Sequence, residues 1–238
     1  MRTTGWALLE GTQRAGVVDA GTLAKGNSAN DAEHALLELI ESARPDVVAI
    51  DAPLTLPPCL SCPAFCRGPG SGLCELRSAQ QVWDAGGHPV TERLTEVRLR
   101  EELHAGPLPT MRIGQIAARG VALARRLLAS QNALHPGGGR QILEVYPYAT
   151  QVRLAHQDPD LGPRRPDEDH QALASRVLGA LSARIDNVED NNDLVAGPHV
   201  LDGLLSAYTG WLYPTGVEAP PKHFNPAAGW IWLPRTAT

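Results

Sequence analysis

The chain has 238 residues, of which 43% are hydrophobic and 20% charged; this is an ordinary globular composition that excludes collagen, extended coiled coil and wholesale disorder. No apolar run reaches the roughly 18 residues a membrane helix needs, and the N-terminus lacks the marks of a secretory signal. The cytoplasm is therefore the expected location, with no membrane partner. The net charge of −5 argues against a protein that coats nucleic acid by charge alone, but leaves room for an enzyme with a local basic face. Nothing in the sequence specifies an oligomeric state.

Residues 3–10 and 15–23 read as two strands, joined through Gly11-Thr12-Gln13-Arg14 as a hairpin. Residues 31–43 form an amphipathic helix with Leu36, Leu37, Ile40 and Ala43 on its apolar stripe, Asn30 or Asp31 at the N-cap and Pro45 beyond its end. Residues 47–52 are a short, continuous apolar run that suits a central strand buried on both faces. Residues 55–110 are irregular, with a short helix near 91–103, and hold all four cysteines. A long helix follows over 112–131, then a glycine-rich turn, a strand over 141–148, a loop over 159–166 and a helix over 167–184. A polar loop leads to a strongly apolar helix at 199–213, and the tail carries the aromatic run Trp230-Ile231-Trp232. An antiparallel start followed by α/β crossovers predicts an α/β fold with a mixed sheet flanked by helices. The expectation is one domain over 1–238 with an insertion at 55–110.

Three acids interrupt apolar elements. Asp51 ends the central strand, Glu144 lies within Ile142-Leu143-Glu144-Val145, and Asp202 falls in the first turn of the apolar helix at 199–213. Carboxylates are rarely buried without compensation, and a cluster of their oxygens suits Mg²⁺ or Mn²⁺. Two such ions would position a water and stabilise the leaving oxygen of a phosphodiester. Each acid also has a structural alternative. Asp51 would cap the turn at Pro53, Glu144 would pair with an arginine at a sheet edge, and Asp202 would sit favourably on the helix dipole.

The blocks Val48-Ala49-Ile50-Asp51-Ala52-Pro53-Leu54, Glu144-Val145-Tyr146-Pro147 and His199-Val200-Leu201-Asp202-Gly203-Leu204-Leu205 resemble the family called domain of unknown function 429, in order and over nearly the whole chain. The resemblance implies an RNase H-like fold and a predicted nuclease, with Asp51, Glu144 and Asp202 as candidate catalytic, metal-binding acids and nucleic acid as substrate. Such proteins normally carry a strand with an Asp near its end ahead of the Thr4-Gly5-Trp6-Ala7-Leu8-Leu9 segment. This first strand has no counterpart in the sequence. The expectation is that codons upstream of Met1 encode it; the other reading is a catalytically inactive RNase H-like binding or scaffold protein. A phosphotransferase is disfavoured, because no glycine-rich phosphate loop lies between the early strands.

Cys59, Cys62, Cys66 and Cys74 give a C-x2-C-x3-C-x7-C spacing within one loop. Four thiolates so close suit a structural zinc, closed to catalysis; unliganded thiols, disulfides and an iron–sulfur cluster are the alternatives. Arg93, Arg98, Arg100, Arg112, Arg119, Arg125 and Arg126 would form a phosphate-holding face or a solvated surface balanced by nearby glutamates. His199 precedes Asp202 by three residues, and so either shares its helix face as a proton carrier or merely packs.

Overall fold

The computed structural model describes residues 4–23, 29–62, 77–103, 110, 114–134, 141–158, 160–162, 168–188, 194, 197–222 and 229–236. In chain order the elements are β1 (Thr4–Glu10), β2 (Ala15–Leu23), α1 (Ala29–Ala43), β3 (Val47–Ile50), α2 (Pro58–Ser61), α3 (Arg77–Asp84), α4 (Leu94–Leu103), α5 (Gly114–Leu134), β4 (Gln141–Val145), α6 (Pro147–Gln157), α7 (His170–Ser182), β5 (Ile185–Asp186), α8 (Pro198–Leu212) and β6 (Ile231–Trp232). Among the described residues, no helix is long and apolar enough to cross a membrane. The chain divides into two compact units. The first comprises Met1–Asp51, His135–Glu218 and Leu233–Thr238, and the second Ala52–Leu134 and Ala219–Trp232.

In the first unit, β1 and β2 pair antiparallel from Thr4↔Leu23 to Glu10↔Gly16, with a bulge between Leu8 and Leu9. Gly11, at φ 131, opens the turn; this is backbone that a side chain would strain. β2 then pairs in parallel with β5 through Ala15 and Gly16, so the expected mixed pairing is present. A separate parallel pair joins β3 to β4, from Val47↔Gln141 to Ile50↔Glu144.

The centre of this unit is α8. Pro198 occupies its first turn, where the missing N–H costs nothing and the fixed φ suits the helix. Val200, Leu201, Leu204, Leu205 and Tyr208 are all buried, and the helix packs against β1, β2, β3, α6 and α7. A helix apolar on most sides is a core helix. Two glycines seven residues apart let it approach the strands closely. A Cβ on Gly203 would lie 2.8 Å from the Trp6 backbone, and one on Gly210 would lie 3.1 Å from the Ala49 Cβ. The Thr209 hydroxyl donates to the Leu205 carbonyl and stands 2.9 Å from the Thr150 hydroxyl. With its only proton so used, Thr209 accepts from Thr150, which keeps both buried hydroxyls satisfied.

Two expectations require correction. The strand read over 141–148 stops at Val145, and Pro147 begins α6. Tyr146 and Tyr148 carry strand propensity, but a proline ends a ladder and starts a helix equally well. The inward face of α6 holds Thr150 and Arg153, so no apolar period announced it. The region 55–110, read as irregular apart from one helix, contains α2, α3 and α4.

The second unit holds a charged group at its interior. Arg93 and Glu96, each 1% exposed, face each other with Arg93 Nη2 2.9 Å from Glu96 Oε1. The Arg93 backbone N–H donates to Glu96 Oε2, and Arg93 Nε donates to the Thr110 hydroxyl at 3.1 Å. Thr110 donates in turn to Glu96, and Thr55 accepts from Arg93 Nη1 at 3.2 Å. Four segments distant in sequence are thereby joined, since Gly229 lies against Arg93 and Thr55 with no room for a Cβ.

Candidate functional site

β3 ends at Ile50, whose register partner on parallel β4 is Glu144. Asp51 is therefore the next residue beyond that pair, at the carboxyl ends of two parallel strands, where open α/β sheets bind their ligands. Glu144 is 5% exposed and so faces protein instead of a solvent edge. Asp202 is half-buried and is the fifth residue of α8, since the helix begins at Pro198. It stands in the second turn, not the first as expected, and the helix dipole alone no longer accounts for it, because that effect fades beyond the first turn. The close approach of Gly203 to Trp6, together with that of Gly5 to the His199 carbonyl, presses this end of α8 onto β1.

Asp202 and Glu144 both act on Asp51. Asp51 is pushed up from 3.8 to about 7, first by burial and then by the negative charges of Asp202 and Glu144. Solvent reaches its outer side, yet the carboxyl stands among enough protein and like charge to resist ionisation. Burial raises Asp202 as well, while His199 and His170 pull it back down. The Tyr146 phenol is pushed up to about 12 by burial, then by Asp51, Tyr148 and Asp202. It stays protonated as a hydrogen-bond donor beside the acids.

Sequence reasoning did not single out Tyr146 or His170. Tyr146 stands in the Glu144-Val145-Tyr146-Pro147 block and was within reach. His170 is the first residue of α7, 32 positions before Asp202, and nothing local marks it. Its Nε2 atom is buried without a hydrogen-bond partner among the described residues.

A hard divalent cation matches this site in donor chemistry, because carboxylate oxygens suit Mg²⁺ and Mn²⁺ and their mutual repulsion calls for positive charge. Among the described residues, no group of three or more His, Cys, Asp or Glu side chains is gathered closely enough to hold a metal ion. A site in which one or two carboxylates bind and water completes the shell is the usual mode for Mg²⁺.

Cys59 lies on α2 and Cys62 directly after it, both half-buried; Cys66 and Cys74 lie outside the described residues. The arginines do not form one face. Arg93 is interior, Arg100 pairs with Glu92, and Arg98 lies 5.5 Å over the Trp230 ring. Arg119, Arg125 and Arg126 are exposed on α5, and Arg112 lies outside the described residues. Arg93 is thus a correction: its guanidinium serves Glu96, because a buried cation is stable only when so enclosed.

A family model described as protein of unknown function (DUF429) matches residues 1–223. No curated protein and no solved structure matches the chain.

Proposed function

We propose that this chain, which belongs to the DUF429 family, is a metal-dependent nuclease of RNase H-like fold, hydrolysing phosphodiester bonds at Asp51, Glu144 and Asp202. The observation that carries this reading is the position of Asp51 beyond the ends of two parallel strands, raised to about 7 by burial and two further acids. Like charges assembled at a ligand-binding position are a mark of function more often than of stability.

One or two of Asp51, Glu144 and Asp202 would ligate the ion, with water completing its shell and the remaining acid adding negative charge beside it. When bound, Mg²⁺ or Mn²⁺ supplies charge that lowers the pKa of water and offsets the developing negative charge on the leaving oxygen. In the reaction, the water oxygen forms the new P–O bond, the ester P–O bond breaks, and a proton passes to the leaving oxygen. Tyr146 keeps its proton on Oη and offers a donor beside the acids. His199, exposed one turn before Asp202, is placed to carry protons between the site and water. We place a structural zinc on Cys59, Cys62, Cys66 and Cys74; metal analysis of protein never exposed to chelator should give close to one zinc per chain, and a ratio near zero rejects it.

The test is Mn²⁺-dependent cleavage of labelled RNA, DNA and hybrid substrates by wild type and Asp51→Asn, each also with the sequence extended upstream. Cleavage by wild type, with at least a 100-fold loss in the variant, is expected; removing one group that offsets transition-state charge costs about that much. A fully active Asp51→Asn rejects the carboxylate centre. Absence of cleavage by any version supports the second reading, a catalytically inactive RNase H-like binding or scaffold protein. That reading draws on the lack of a tightly gathered ligand set among the described residues.

A further inference from the structure

The first unit contains an open cavity of about 460 Å³ that none of the three acids lines. Its size is that of a small-molecule site. Gln13 and Arg14 reach it from the β1–β2 turn, Gln157 from the end of α6, Arg184 from just beyond α7, and Tyr208 and Trp211 from the last turns of α8. Trp211 follows Asp202 by nine residues, which puts the cavity roughly 13 Å further along the helix. The two sites therefore occupy opposite ends of α8.

Among the described residues, the cavity wall contains two guanidinium groups and no carboxylate. Both cations are fixed. Arg14 Nε pairs with Asp186 at 2.5 Å and its Nη2 donates to the Ser182 carbonyl at 2.7 Å. Arg184 Nη1 donates to the Ala180 carbonyl at 2.9 Å and its Nη2 to Gln157 Oε1 at 3.4 Å. These bonds engage two of the five N–H groups on each side chain. The aromatic wall is fixed too. Trp211 Nε1 donates to the Gly11 carbonyl at 2.8 Å, and the Trp211 ring stacks on Tyr208 with centroids 6.2 Å apart and planes at 27°. Arginines held by backbone carbonyls and an indole held flat lose little freedom on binding, which is the condition for a preorganised site.

We infer that this cavity binds a nucleotide, its base against the Trp211–Tyr208 stack and its phosphate between Arg14 and Arg184. Guanidinium groups recognise phosphate through several donors at once, an aromatic face accepts any base, and Gln13 supplies an amide for the polar edge, while Gln157 is held between Arg184 and the Arg235 carbonyl. The inference is independent of hydrolysis at Asp51.

Calorimetric titration of the full chain with adenosine 5′-monophosphate, adenosine and inorganic phosphate tests it. The monophosphate should bind, and adenosine and phosphate should each bind at least about tenfold more weakly. Arg184→Gln should weaken the monophosphate by about 10- to 100-fold, the usual effect of losing a hydrogen bond to a charged group. Trp211→Phe keeps an aromatic face but loses the hydrogen bond to Gly11, and should weaken the monophosphate less than Arg184→Gln does. Asp51→Asn should bind as wild type does. A 5′-phosphorylated oligonucleotide that displaces the monophosphate identifies a strand end as the ligand, and one that does not identifies the free nucleotide. No binding of the monophosphate, equal binding of adenosine, unchanged affinity in Arg184→Gln, or lost affinity in Asp51→Asn would each overturn the assignment.

Discussion

Glu96 in the second unit and Asp51 in the first are both carboxylates set among protein, with opposite surroundings. Glu96, 1% exposed, receives donors from Arg93 and Thr110 on every side that the described residues present. Asp51 is faced by two further acids and keeps an opening to solvent. The first arrangement satisfies a charge and fixes three stretches of chain around it. The second sets like charges side by side at a place a ligand can reach. A buried ion network with all its donors spent is a structural device, whereas like charges at strand ends are held there by the rest of the fold.

Either carboxylate can be removed. The largest expected effect is on Glu96→Ala, which leaves the Arg93 guanidinium buried without its counter-charge. It should destabilise the second unit by about 3–5 kcal/mol, seen as lost amide-exchange protection at Val97 and Leu99. Unchanged protection would mean the ion pair is dispensable. Leu204→Ala, at the fully buried centre of α8, should cost about 2–5 kcal/mol by leaving a cavity. The denaturant midpoint measures it, and a loss well below that range would mean that the helix closes over the gap.

The smallest effect carries the opposite sign. Asp51 ionises near 3.8 when unfolded and near 7 when folded. Between those values the folded chain holds a proton that the unfolded chain has lost. Stability therefore falls as pH rises through that window, and the penalty is complete above about 7. Asp51→Asn cannot ionise. In metal-free buffer its melting temperature should match wild type near pH 3.5 and exceed it by a few degrees at pH 8, each 1 kcal/mol being worth about 2–4 °C in a chain of this size. A variant less stable than wild type at pH 8 would show that the carboxylate is satisfied after all, as Glu96 is.

Much of the first unit was legible in the sequence. Alternation and turn residues located β1 and β2, the continuous apolar run located β3, and the dense apolar face located α8. α6 was hidden because Pro147 is both a strand terminator and a helix starter, and because Thr150 and Arg153 face inward. α2 and α3 were hidden in a stretch too short in apolar period to declare itself. The acids were visible as intrusions into apolar elements, but their mutual influence was not, and His170 carried no local signal.

By itself, the sequence determined which segments could be helix or strand, because propensity and period act over a few neighbouring residues. It also determined that Asp51, Glu144 and Asp202 would interrupt apolar elements. The packing of distant segments is what sets Ile50 opposite Glu144, lets Gly5 and Gly203 draw Asp202 toward β1, and turns Arg93 inward to Glu96 while Arg14 and Arg184 line a cavity. Those outcomes depend on charge, burial and close backbone approach between segments far apart in the chain. Such forces act through space, and no local pattern of residues records them.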